Sequence, residues 1–464
     1  MADQTARNAM PEQDAALRIN NFDEVALGYT SEQAIAEATR CWQCKKPRCV
    51  AGCPVKVDIT RFVGQIASGD TRGAYETITA TNSLPAICGR VCPQETQCEA
   101  LCARAVRGEP VAIGRLERYV ADLYLDNVEK LSDVASSQTM PSGAKVALVG
   151  AGPASLTCAG DLARLGYDVT IFEAFHAPGG VLIYGIPEFR LPKAIVSQEI
   201  SKLTALGVKI QTNTIIGRTI SIDELFEQGF QAVFVGAGAG LPSFLGIEGE
   251  NLLGVYSANE YLTRINLMKA YMSEYDTPVA PAARVAVIGG GNVAMDAARA
   301  SRRLGADVTV VYRRGMEELP ARAEEVAHAI EEGIKFQFLA NPVSVVGGED
   351  RRVKAIECIE MVLDVPDASG RRSPKPKTGS EFFIEVDAVI VAIGTTPNPL
   401  ISSTTEGLDT DAFGCLITDD NGATSKTSVF AGGDIVTGSA TVILAMGAGK
   451  TAAISIDEYL SNQS

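Results

Sequence analysis

Two hydrophobic patterns divide the chain. Up to about residue 140 the apolar positions recur in short helical runs. Thr30 followed by Gln33 makes a capping box ahead of a helix that delivers Cys41, and LERYVADLYLDNV from Leu116 is a further amphipathic run. SSQTMPSG, from Ser136 to Gly143, has the composition of a linker. Beyond it, apolar strands alternate with helices, the pattern of parallel α/β domains.

That second part contains an internal repeat. KVALVGAGPAS from Lys145 and RVAVIGGGNVA from Arg284 are each a strand, a Gly-rich turn and a helix start, 139 positions apart. The strands that follow, DVTIFE from Asp168 and DVTVVY from Asp307, keep the same offset of 139. Two dinucleotide-binding, Rossmann-like units are expected. QAVFVGAGAG from Gln231 and DAVIVAIGTTPN from Asp387 mark the crossings between them. The segment with TSVFAGGD from Thr427 and a last helix from about Ser439 then returns to the first unit, so the second unit is inserted into it. The expected divisions are 1–140, then 141–240 with 397–464, and 241–396 as the insertion.

Composition narrows the function. The 464 residues carry 56 acids against 41 bases, a formal charge of −15, which argues against nucleic-acid binding and favours solubility and a basic partner face. No apolar stretch approaches the ~18–20 residues of a membrane-spanning helix. MADQTARNAM at the start has neither an apolar core nor a basic lead, and a cytoplasmic protein is expected. With only His176 and His328 there is little material for histidine acid–base chemistry, which hydride and electron transfer do not need.

In a G-x-G-x-x-G/A turn the first Gly allows the tight turn, the second lets backbone approach a pyrophosphate, and the third packs helix on strand. The first copy has Gly150, Gly152 and Ser155, where Ser departs from the pattern; the second has Gly289, Gly291 and Ala294, with Asn292 opening its helix. Glu173 ends the following strand in the first copy and can accept hydrogen bonds from an adenosine ribose. Its counterpart is Tyr312, followed by Arg313 and Arg314, a pair suited to a 2′-phosphate, so this site favours NADPH over NADH. The first site suits FAD: the Gly179–Gly180 pair and Gly433–Asp434 would complete it, Asp434 on the ribityl chain. The helix after Thr441 would direct its N-terminal dipole at the flavin pyrimidine end.

Eight of the eleven cysteines crowd between Cys41 and Cys102, which points to metal rather than disulfides. They read Cys41-x2-Cys44-x4-Cys49-x3-Cys53-Pro54 and Cys88-x3-Cys92-Pro93-x4-Cys98-x3-Cys102, echoes of the ferredoxin run in which the cysteine before proline reaches the other cluster. Two [4Fe–4S] clusters are expected. Zinc held by an interaction module is the alternative, as is a flavin-based redox sensor; but there is only one C-x2-C hook, and the adjoining flavin site favours redox clusters. Cys158, Cys358 and Cys415 stand alone, so there is no redox-active pair of the disulfide-reductase kind, and they are expected as buried small hydrophobes.

The motifs NSLPAICGRVCPQETQCEALC, EPVAIGRLERYV, YGIPEFRLPK, GVYSANEYLTR and AGGDIVTGSATV together resemble the glutamate synthase small-subunit family of FAD and iron–sulfur oxidoreductases over nearly the whole chain. They look most like the branch holding the large subunit of NADH-dependent reduced ferredoxin:NADP oxidoreductase, and are similar to the N-terminal part of dihydropyrimidine dehydrogenase. The resemblance implies a helical iron–sulfur domain ahead of two Rossmann-like domains, the nicotinamide domain inserted in the FAD domain. It implies one cluster on Cys41, Cys44, Cys49 and Cys102, and another on Cys53, Cys92 and Cys98 with Glu117 as a non-cysteine fourth ligand, leaving Cys88 unliganded. A glutaminase nucleophile and a (β/α)8 barrel are missing, so the family role implied is electron input to a second redox subunit, either FMN-containing or ferredoxin-reductase-like.

Overall fold

The computed structural model describes residues 5–125, 143–367 and 372–463. The expected linker, apart from Gly143, and the end of the run from Leu116 lie outside the described residues.

The N-terminal part is helical, and its helices begin where side chains can satisfy the first backbone N–H groups. The Thr30–Gln33 capping box forms, with Gln33 Oε1 accepting the Thr30 N–H at 2.9 Å, and opens the helix Ser31–Thr39. Asp58 and Asp70 cap Ile59–Ala67 and Thr71–Thr79. The amphipathic run becomes Ile113–Leu125, three residues earlier than its apolar pattern suggests, packed on Pro85–Val91. Gly89 allows that packing: a Cβ there would lie 2.6 Å from the Arg118 backbone nitrogen.

Both Rossmann-like units form. The first sheet is parallel and runs, edge to edge, Val429–Ala431, Phe230–Val235, Lys145–Val149, Asp168–Phe172, Lys209–Gln211. Its first strand comes from beyond residue 400, so the chain leaves the sheet, builds the second unit and returns. The second sheet runs Val255–Ser257, Ala388–Val391, Arg284–Ile288, Asp307–Tyr312, Lys335–Phe338, also parallel. A short antiparallel pair, Leu241–Pro242 with Thr395–Thr396, lies at the two expected crossings. A three-stranded antiparallel sheet of Ala340–Gly347, Val353–Pro366 and Arg372–Glu385 was not anticipated, because the last strand is rich in Lys, Pro and Ser and its apolar residues are confined to the short stretch Phe382 to Ile384.

A buried ionic network joins the three parts. Arg190, from the segment after the first sheet's second strand, binds Asp296 with both oxygens at 2.7 and 2.8 Å and Glu325 at 2.8 Å. Arg18, near the N-terminus, meets Glu332 at 2.9 Å, and Arg299 and Arg303 share that same carboxylate. Both of those arginines stack over Phe189, at 4.8 and 3.9 Å. Burial alone would raise the Glu325 and Glu332 carboxyls, but the surrounding arginines hold each at about 2. Asp296 has fewer such neighbours, and burial pushes it up to about 6.

Removing one partner from a buried ion pair strands the others, at a cost of about 3–5 kcal/mol. Glu332→Gln is therefore expected to lower the denaturation midpoint clearly, and an unchanged midpoint would count against the network. Because both glutamates titrate below their ordinary 4.5, their stabilisation is complete above that pH and is lost as pH falls from 4.5 towards 2, which acid unfolding of wild type and variant would measure.

Candidate functional site: two dinucleotide turns and a cysteine-rich helical face

Ligands of such sheets bind beyond the carboxyl ends of the strands. In the first unit Lys145–Val149 leads through Gly150, at φ +90°, into the helix Pro153–Arg164. That helix begins at Gly152 without a side-chain cap, and the space where a Cβ of Gly152 would stand is open for at least 4 Å. Uncapped N–H groups beside open space fit a pyrophosphate. Gly179 and Gly180, at φ +129° and +56°, cross the same turn, and a Cβ on Gly180 would come within 3.0 Å of Gly152 Cα. Ser155 is fully buried, and among the described residues its hydroxyl has no hydrogen-bond partner.

Glu173 is buried at the end of its strand, one oxygen accepting the Ala151 N–H at 2.7 Å and the other the Phe175 N–H at 2.8 Å. Each oxygen retains a lone pair for a ribose hydroxyl. Gly433, at φ +79°, turns the returning chain against Ala154 and presents Asp434, whose carboxyl burial raises. Thr441 caps the helix Val442–Ser461 through the Leu444 N–H at 3.4 Å. Tyr184 belongs to this site and was not singled out: burial, with Glu173 and Asp434 nearby, pushes its hydroxyl up to about 12. Its only sequence signal was its place in YGIPEFRLPK.

The second turn repeats the first. Gly289 has φ +139°, Gly291 starts the uncapped helix Asn292–Arg303 beside open space, and Ala294 is fully buried. Asn292 Oδ1 accepts the Arg322 N–H at 2.9 Å. Arg313 and Arg314 do not act as an equivalent pair. Arg313 is exposed, whereas Arg314 is buried and its Nε donates to the Arg372 carbonyl at 3.0 Å, against the unanticipated antiparallel sheet. Successive residues at a strand end face opposite ways, which a reading of two adjacent arginines misses.

The eight clustered cysteines separate into two sets. Cys41, Cys44, Cys49 and Cys102 are half-buried and influence one another; burial, then Cys102, raises Cys49 to about 11. Cys98 lies near both Cys53 and Cys92, each of the three lies near Glu117, and Cys88 lies near Cys53 and Cys92 as well. Glu117 is buried, accepts Asn82 Nδ2 at 2.7 Å, and burial pushes its carboxyl up to about 7. Cys88 lies in hydrogen-bonding contact with Cys92, and its sulfur is 3.5 Å from Met446 Sδ.

These donor sets fit iron–sulfur groups better than single ions. Around one tetrahedral zinc, sulfurs bound at ~2.3 Å lie ~3.8 Å apart. Among the described residues no three cysteine sulfurs lie within 4.8 Å of one another, as a larger metal–sulfur core allows. The trio that meets that spacing, Glu12, His328 and Glu331, already has Arg18 as its cation, 2.7 Å from Glu331. Buried thiols gathered together resist ionisation, and a cationic core between them reverses that. Cys158, Cys358 and Cys415 are buried, as expected.

Residues 18–128 match the family described as dihydropyrimidine dehydrogenase domain II, 4Fe-4S cluster, and 144–449 match pyridine nucleotide-disulphide oxidoreductase. The glutamate synthase [NADPH] small chain of Escherichia coli (strain K12) is 35% identical over 458 residues, covering 97% of this chain and 96% of that one. The NADP(+)-dependent formate dehydrogenase subunit beta of Moorella thermoacetica is 38% identical over 434 residues, covering 89% of this chain, which spans 60% of that subunit. Mycobacterium tuberculosis FprA in complex with NADPH shares the fold, with TM-score 0.59 and 21% identity over 69% of this chain and 85% of that one. No helix among the described residues is long and apolar enough to cross a membrane. With an iron–sulfur domain ahead of a pyridine-nucleotide oxidoreductase domain, and similarity along nearly its whole length, the chain belongs to the glutamate synthase small-chain family of iron–sulfur flavoprotein oxidoreductases.

Proposed function

We propose that this chain is the electron-input subunit of a larger redox assembly, taking hydride from NADPH and releasing single electrons through two [4Fe–4S] clusters. The chain divides for this purpose into 1–140, 141–240 with 397–464, and 241–396. The observation that carries the reading is the contact between the cysteine-rich part and the helix Val442–Ser461. Cys88 meets Met446, and a Cβ on Gly447 would lie 3.4 Å from the Pro54 carbonyl, next to Cys53. This supports the set of Cys53, Cys92, Cys98 and Glu117 as the inner cluster, nearest the first turn, and that of Cys41, Cys44, Cys49 and Cys102 as the outer one.

In this reading Gly150, Gly152, Ser155, Glu173, Gly179, Gly180, Gly433, Asp434 and Thr441 hold FAD. Gly289, Gly291, Asn292, Ala294 and Arg313 hold NADPH, with Arg314 bracing the loop from behind. FAD supplies the conversion of a two-electron donor into one-electron steps. Glu173 binds an adenosine ribose through its free lone pairs, and the uncapped start of Pro153–Arg164 takes the pyrophosphate. The N-terminus of Val442–Ser461 favours negative charge at the site it faces. The second subunit is FMN-containing or a ferredoxin-reductase-like flavoprotein, in keeping with relatives named as a small chain and a subunit beta.

Arg313→Ala is expected to weaken NADP+ about tenfold or more while sparing NAD+, the scale of one charge-assisted hydrogen bond. Arg314→Ala should weaken both dinucleotides alike. Equal losses for both in the Arg313 variant, measured by equilibrium titration, would reject the 2′-phosphate assignment. Cys53→Ala should delete one cluster's EPR signal with bound FAD retained; two intact signals would overturn the ligand scheme.

A further inference from the structure

Glu117 differs from the other buried glutamates in what answers its charge. Glu37, Glu99, Glu199, Glu325 and Glu332 are each in an ion pair with an arginine or lysine, and Glu173 accepts two backbone N–H groups. Glu117 is buried as well, yet among the described residues it has no basic partner and a single hydrogen bond, from Asn82 Nδ2 to its Oε1 at 2.7 Å. Its Oε2 accepts no hydrogen bond there. A buried carboxylate answered by one neutral amide is costly unless a cation completes it. Asn82 is itself held in place. It stands just ahead of the helix Pro85–Val91 and is 1% exposed. Its Oδ1 accepts the Leu84 N–H at 2.9 Å and lies 3.6 Å from Cys88 Sγ, whose thiol can donate to it. A backbone N–H can only donate, so the amide oxygen must face Leu84 and the amide nitrogen must face Glu117.

We propose that Asn82 is a positioning residue of the inner iron–sulfur site: it holds Glu117 Oε1, leaves Oε2 as the donor to iron, and draws charge from the carboxylate so that the inner cluster is easier to reduce. The inference rests on the ligand scheme of the electron-input reading above. An amide suits this role better than a cation. A guanidinium would compete with the metal for the carboxylate and cancel its charge, whereas an amide fixes the orientation of the ligand and withdraws only part of that charge. The effect is confined to one centre. Cys88, in contact with Asn82, also meets Met446, so the amide belongs to the set that lies against the helix Val442–Ser461 and not to the half-buried outer one. Reduction adds negative charge to a cluster, so a hydrogen bond to one of its ligands stabilises the reduced form more than the oxidised form.

Anaerobic redox titration of the full-length protein, with both clusters followed by EPR, separates this from a purely structural role. Asn82→Leu keeps the side-chain volume and removes the donor. It should disfavour reduction of the inner cluster about tenfold, read as a lower midpoint potential, which is the scale of one hydrogen bond to a charged group. The outer cluster's midpoint, the iron content and the bound FAD should stay at wild-type levels. Asn82→Ser, whose hydroxyl can still donate, should shift the inner midpoint the same way by less, and it decides the matter if the leucine variant does not fold. An inner midpoint unmoved in the folded Asn82 variant, or a shift shared equally by both clusters, would overturn the positioning role. Glu117→Gln should favour reduction of the inner cluster alone, and Cys88→Ala should retain both clusters. Wild-type midpoints in Glu117→Gln, or loss of the inner cluster in Cys88→Ala, would instead contradict the ligand scheme beneath the proposal.

Discussion

The arrangement depends on one helix that comes close to two others. Val442–Ser461 lies against Pro153–Arg164 because Gly449 has no side chain: a Cβ there would sit 2.1 Å from the Ala154 carbonyl oxygen. The same helix meets the cysteine-rich part at Gly447 and Met446. A single rigid element therefore sets the distance between the first dinucleotide turn and the inner cysteines. Electron transfer between two centres needs such a fixed and short separation, and a loop would not hold it.

The second requirement is orientation of the inserted unit, and electrostatics provides it. Arg190 and Phe189 come from the first unit, Asp296, Arg299, Arg303, Glu325 and Glu332 from the second, and Arg18 from the N-terminal arm. Buried charges are expensive unless paired, so each arginine in this network restricts the others to one geometry. The result is a second dinucleotide turn held in one relation to the first and to the iron–sulfur part.

Much of this was legible in the sequence, for identifiable reasons. The 139-residue offset between KVALVGAGPAS and RVAVIGGGNVA is a direct print of two equivalent sheets, and TSVFAGGD had no partner other than the first one. Local capping chemistry placed the helix before Cys41, because Thr30 and Gln33 need only each other. The antiparallel strand Arg372–Glu385 is hard to read because its side chains alternate between exposed and half-buried, and Phe382 and Ile384, which do pack against a core, stand near its end. The burial of Arg314 is not legible for a related reason: which of two neighbouring arginines is buried depends on that same distant strand. The grouping of the cysteines is what the resemblance implies rather than what spacing shows; Glu117 lies near Cys53, Cys92 and Cys98, and Cys88 lies near Cys53 and Cys92 too.

In the proposed reading a nicotinamide donor, a flavin and iron–sulfur centres form one connected path in this chain. Anaerobic titration of the purified protein with NADPH, following flavin absorbance and iron–sulfur EPR together, is the deciding measurement. Flavin bleaching should be accompanied by the appearance of reduced-cluster signals within the same titration. Bleaching without any cluster signal would contradict that reading, and would leave the cysteines as a structural metal domain on an ordinary flavin reductase.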